Sequence, residues 1–108
     1  MQVIGALSID RSGCAVSVGG VRVHLTPTEY RLLCELADHP GRVVPSEELA
    51  GRVWGYDDPG IRRSLGVHLR RLRAKLAAGP VRAPTPAAVR GLGYRLSLDP
   101  CDELADGT

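Results

Sequence analysis

The stretch IRRSLGVHLRRLRAKL, residues 61–76, carries six cationic side chains and no acidic one. Its apolar residues Ile61, Leu65, Leu69, Leu72 and Leu76 recur at steps of 4, 4, 3 and 4. At the α-helical pitch they fall within an arc of about 80°, a narrow stripe that faces a core. The opposite face centres on Arg63, Val67, Arg70 and Ala74, with Arg71 to one side. His68 falls on the core side, where a packed, hydrogen-bonded imidazole is expected. A solvated helix normally mixes Glu with Lys, because like charges one turn apart repel. Here Arg70, Arg71, Arg73 and Lys75 have no acid within the helix, and Arg62 and Arg63 crowd the positive end of the dipole. Asp57 and Asp58 can relieve the N-terminal end but not the rest. An external polyanion would relieve all of it.

Outward from this helix the chain alternates between two periods. Residues 3–25 read as strands: VIGALSID, the turn RSG, CAVSV, then VRVHL. The Gly19-Gly20 link between two alternating runs is a hairpin signal. In LTPTEYRLLCELADHPG, Thr26, Pro27 and Glu29 form a capping box with Pro in the first helical position. Leu32, Leu33, Leu36 and Ala37 supply the apolar stripe of that helix. SEELAGRVWG reads as a second, shorter helix, with Glu47 and Glu48 in its first turn and Gly55 closing it. GYDDPG is a polar loop. After the basic helix, the Pro-rich piece up to Pro86 reads as a linker or an edge strand. AAVR and YRLSL, joined by Gly91-Leu92-Gly93, read as a hairpin with Arg90 at its tip. Three helices between a sheet and a C-terminal hairpin give an α+β fold, the ground plan of a winged helix-turn-helix.

Composition limits the function. The 108 residues are 44% hydrophobic and 24% charged, ordinary for one globular domain. Residues 1–98 carry 14 basic and 8 acidic side chains, a net of +6. Residues 99–108 carry the remaining acids and read as a disordered tail. That tail is either a solubilising end or a segment that folds back on the basic helix. Cys14, Cys34 and Cys101 match no zinc spacing and read as free thiols of a reducing cytoplasm. No run is apolar enough to span a membrane, and no leader peptide is evident. His24, His39 and His68 are scattered, and no nucleophile–base pair, phosphate loop or metal spacing stands out. An enzyme is not expected, nor a cofactor or metal. Thirteen of the 14 basic residues are Arg, whose planar fork suits phosphate and the guanine edge. A Gly-rich tip bearing Arg90 is slim enough for the minor groove of duplex DNA, while the helix fits the major groove. The rival reading is a protein-interaction module whose basic helix docks an acidic partner.

The segments LTPTEYRLLCELADHPGRVV, RVWGYDD, VHLRRLRAKL and VRGLGYRL resemble, in order and spacing, the OmpR/PhoB-type winged-helix DNA-binding domain. The resemblance runs from about residue 5 to residue 98. It implies a four-stranded N-terminal sheet, three helices and a C-terminal wing, in the cytoplasm of a bacterium. It implies sequence-specific binding of double-stranded DNA in transcription regulation, often by two copies head to tail. The positions matching the family's DNA contacts are Arg63, Ser64, Val67, Arg70, Arg71, Arg73 and Arg90. Arg71 and Val67 are expected at bases, Arg63, Ser64, Arg70 and Arg73 at phosphates, and Arg90 in the minor groove. The loop from about Trp54 to Gly60, with Gly55, Tyr56, Asp57 and Asp58, matches the one that contacts RNA polymerase in some members. Trp54 and Tyr94 are expected in the core. Three departures stand out. Gly66 replaces the usual Asp, at a cost of about 1 kcal/mol relative to Ala. Pro45 replaces the usual Ser or Thr cap of the second helix, leaving the cap to Ser46. The receiver domain of two-component response regulators is missing, as in an excised effector domain or a stand-alone relative.

Overall fold

The computed structural model describes residues 1–98; the acidic segment 99–108 and Cys101 lie outside the described residues. The chain opens with β1 (Gln2–Ile4), β2 (Leu7–Asp10), β3 (Ala15–Val18) and β4 (Val21–Val23). They form an antiparallel meander in that order. The run VIGALSID is two strands rather than one, because Gly5 turns the chain at φ +58° and Ile4 then pairs with Leu7. Gly19 and Gly20 both have positive φ, as the tight β3–β4 hairpin requires. Alternation puts Leu7, Ile9, Val16 and Val18 on the buried face.

Helix α1 (Pro27–Ala37) begins with the expected capping box. Thr26 Oγ1 accepts from the Glu29 N–H at 3.2 Å, and Glu29 Oε1 accepts from the Thr26 N–H at 2.9 Å. Its stripe of Leu32, Leu33, Leu36 and Ala37 is fully buried. Next come a two-residue strand β5 (Val44–Pro45), α2 (Ser46–Trp54), α3 (Pro59–Ala77), β6 (Thr85–Val89) and β7 (Gly93–Ser97). Pro45 stands at the start of α2, and no side-chain hydrogen bond caps it, so Ser46 does not replace the lost cap. The α2 dipole is met instead by Glu47 and Glu48 in the first turn.

The second sheet has the order β5–β7–β6, so the C-terminal hairpin is joined by a strand from far upstream. Pro86 lies in β6, an edge strand, where a missing N–H costs least. The core is one cluster: the inner face of the first sheet, the stripes of the helices, and Leu96 of β7. Trp54 and Tyr94 pack against it, as expected. Leu65, Leu69, Leu72 and Leu76 seat α3 on this cluster. The winged helix-turn-helix architecture expected from the sequence is the one observed.

Candidate nucleic-acid interface

Helix α3 starts two residues earlier than its apolar stripe suggests. Asp58 is its N-cap, accepting from the Ile61 N–H at 2.8 Å, and Pro59 is its first residue. Asp58-Pro59 thus repeats the logic of Thr26-Pro27. All five stripe residues, Ile61 included, are buried. Arg63, Ser64, Val67, Arg70, Arg71 and Arg73 are all exposed on the outer surface. Val67 is 42% exposed, a bare methyl pair amid guanidinium groups.

Arg62 and Lys75 of the opening stretch form ion pairs within the protein. Arg62 forms a fork on Asp57, Nε to Oδ1 at 2.8 Å and Nη2 to Oδ2 at 2.6 Å. That hydrogen-bonded pairing holds the Asp57 carboxyl below the usual range and raises Arg62. Lys75, which has no acid within its own helix, donates to Glu29 Oε1 of α1 at 2.6 Å. Glu29 is only 1% exposed. Burial alone would raise its carboxyl pKa. The hydrogen bond from Lys75, the Thr26 N–H and the Lys75 charge outweigh that and bring it below the ordinary value. Lys75 therefore pins the last turn of α3 to the first turn of α1. The outward cationic face is narrower than the sequence suggests and consists of arginines only.

The wing rises beside this face. Arg90 is exposed at its tip, Gly91 takes φ +79°, and the Leu92 N–H closes the turn on the Val89 carbonyl at 2.9 Å. A cleft of about 390 Å³ lies between the start of α2, Arg62 and the tip, with Glu47 and Arg90 on its walls. A smaller groove of about 220 Å³ separates α3 from the wing strands, lined by Gly66, Arg70, Arg73, Ala88 and Tyr94. A Cβ at Gly66 would meet only the Tyr94 hydroxyl, at 3.7 Å. Packing therefore does not demand glycine there. At Gly93 it does, because any side chain would collide with the Val44 carbonyl of β5.

His68 packs against Trp54, ring centroids 5.8 Å apart. Its placement is as expected, but its Nδ1 is buried without a hydrogen-bond partner in the structure, which corrects the expected satisfied imidazole. The loop between α2 and α3 is also shorter than expected. Trp54 ends α2 and Pro59-Gly60 begin α3, leaving only Gly55, Tyr56, Asp57 and Asp58. Gly55 is the left-handed C-cap of α2, and both acids serve α3. Tyr56, 61% exposed, is the large hydrophobic side chain this loop offers outward. Among the described residues, no group of three or more His, Cys, Asp or Glu is placed to hold a metal ion. No described helix is long and apolar enough to cross a membrane.

The family model described as "Transcriptional regulatory protein, C terminal" matches residues 20–96. The chain belongs to this OmpR/PhoB-type family. This OmpR/PhoB-type chain is 42% identical over 92 residues to the transcriptional regulatory protein AfsQ1 of Streptomyces coelicolor, covering 85% of the chain and 41% of AfsQ1. It thus spans about two-fifths of the length of such curated relatives. Among solved structures, it resembles the Klebsiella pneumoniae RstA DNA-binding domain in complex with the RstA box, with 33% identity and a TM-score of 0.77. That match covers 91% of this chain and 97% of the other. The AdeR DNA-binding domain in complex with an intercistronic region matches with 26% identity and a TM-score of 0.78, over 92% of this chain and all of AdeR's. The solved neighbours are winged-helix effector domains of response regulators, and the homologues are transcriptional regulators.

Proposed function

We propose that this domain binds double-stranded DNA sequence-specifically and acts in transcription regulation, with α3 in the major groove and the wing in the minor groove. The observation that carries this reading is the outward face of α3. Arg63, Arg70, Arg71 and Arg73 are exposed there, over a fully apolar inner stripe, with Arg90 presented alongside. The RstA and AdeR domains, similar in fold and sequence, were solved on DNA.

In this reading Arg71 forks a guanine edge and Val67 touches a thymine methyl. Arg63, Ser64, Arg70 and Arg73 hold phosphates and fix the register. Arg90 enters the minor groove. Residues 1–98 form the binding domain, with 99–108 appended. The assignment includes a cytoplasmic location, no catalytic role, no cofactor and two copies head to tail on adjacent sites. Tyr56 and its loop are the surface for RNA polymerase.

The test is a salt titration of binding to duplex DNA. Displacing counterions from three or four phosphates gives a log–log slope of about −3 to −4. Absence of binding to any duplex at low salt would overturn the reading in favour of an acidic protein partner.

A further inference from the structure

Glycine inside a helix weakens it relative to alanine, because the backbone loses more freedom on folding. Gly66 stands in the interior of the 19-residue α3. The fold itself draws no benefit from it. Its φ is not positive, and a Cβ there would meet only the Tyr94 hydroxyl, at the ordinary contact distance of 3.7 Å. No backbone crosses close to it, in contrast to Gly93. What the missing side chain leaves is space.

That space belongs to the groove of about 220 Å³ between α3 and the wing strands. Gly66, Arg70 and Arg73 line it from the helix side, together with Leu69. Their spacing of four and three residues sets Gly66, Arg70 and Arg73 within about 60° of one another around the helix. Pro86 and Ala88 of β6 and Tyr94 of β7 form the opposite wall, with Ala88 and Tyr94 directly paired. The groove is thus a neutral trough with two guanidinium groups on its helical wall. No acid in α3 repels an anion from it, since the helix contains none. At about 30 Å³ per water molecule the trough takes about seven waters, room for a small anionic group.

The occupant follows from where the trough lies, and this step rests on the reading above, with α3 in the major groove and the wing in the minor groove. In duplex DNA a single sugar–phosphate strand separates a major groove from the minor groove beside it. That strand has to pass between α3 and the wing. We propose that the trough at Gly66 seats a phosphodiester of this dividing strand, with Arg70 and Arg73 pairing with its oxygens. Gly66 is a positioning residue: having no side chain, it lets the strand settle against the helix within reach of both arginines. A larger residue lifts the strand away. The contact is with the backbone, so it strengthens binding to every sequence alike.

The experiment uses the full chain and a duplex selected from a random pool. Uncharged methylphosphonates replace its phosphates one at a time. The wild type is expected to lose about fivefold or more in affinity at one or two adjacent positions, between the major-groove and minor-groove contact zones. Gly66→Leu fills the trough. It is expected to keep the wild-type circular dichroism spectrum and to bind about tenfold more weakly on selected and random duplexes alike, with a log–log salt slope flatter by about one. At the positions sensitive in the wild type, Gly66→Leu and Arg70→Ala are each expected to lose less than about twofold further. A folded Gly66→Leu that binds like the wild type, or that keeps the full wild-type sensitivity at those phosphates, overturns the proposal. So does a wild type with no sensitive phosphate between the two zones. Should Gly66→Leu fail to fold, the wild-type and Arg70→Ala scans decide alone, and full sensitivity in Arg70→Ala overturns the seat. In all these outcomes the wild type still binds duplex DNA, so the proposed function stands; only absence of wild-type binding would remove that reading.

Discussion

Replacing Lys75 with Met keeps the aliphatic stem of the side chain and removes its charge. Glu29, 1% exposed, then loses its strongest partner and keeps only the Thr26 N–H and its place in the capping box. Breaking a fully buried ion pair from one side costs about 3–5 kcal/mol. The Lys75 side chain is 38% exposed, so part of its attraction is already screened. About 2 kcal/mol is the expected loss, or roughly 10 °C in Tm for a domain of this size. Glu29→Gln retains a residue able to complete the capping box and frees Lys75 into water, so about 1 kcal/mol is expected. The double variant should lose about 1 kcal/mol less than the sum of the two. Urea unfolding of the four proteins measures that coupling. Additivity within about 0.5 kcal/mol would show that the two residues do not depend on one another, and the tie between α3 and α1 would fall. The pair also predicts a pH dependence. The folded Glu29 carboxyl binds its proton more weakly than the unfolded one, whose ordinary value is 4.5. Its contribution is thus complete above that value and is lost as pH falls through the lower folded value. The wild type should therefore lose stability more steeply below pH 4.5 than Glu29→Gln does; parallel curves would contradict the lowered carboxyl.

Gly66→Ala should raise stability by about 1 kcal/mol in urea unfolding, because its Cβ reaches nothing nearer than Tyr94 Oη at 3.7 Å; a loss would mean that the notch is not open. Gly93→Ala should cost more than about 2 kcal/mol, since its methyl would strike the Val44 carbonyl and part β5 from β7; a Tm within a few degrees of wild type would refute that close approach. Arg71→Ala should cost about 1–3 kcal/mol on a selected site and relax base preference, whereas Arg73→Ala should weaken binding to every sequence alike. Equal losses by both variants on selected and random duplexes, measured by fluorescence anisotropy, would defeat that division of roles.

Much of this fold is legible in the sequence because its signals are local. The capping box at Thr26 and Glu29, the Gly19-Gly20 turn and the leucine stripe of α3 each act within a few residues, and each is found. The misses are non-local. β5 is two residues long and contains Pro45, so neither period nor propensity marks it; only pairing with β7, some fifty positions on, makes it a strand. Lys75 reads as one more solvent-facing cation because its partner is 46 residues away. The orphaned Nδ1 of His68 depends on tertiary packing in the same way. The Asp58 cap is different: Asp-Pro before the stripe marked it, and the apolar period drew the helix start past it. For the site, the exposed face of α3 follows directly from the helical wheel. Which of its cations are already engaged does not.

The small strand β5 has a mechanical effect out of proportion to its length. It bonds to the inner strand of the hairpin at Val44–Tyr94 and Pro45–Gly93, and it runs without a break into α2. The hairpin is thereby bolted to the same frame that carries α3, instead of swinging from the Pro-rich segment before it. Helix and ribbon then behave as the two jaws of a caliper with a locked gap. One base pair inserted between the two contact zones would move the second jaw's target by about 3.4 Å along the duplex and turn it around the axis, and a locked caliper does not follow.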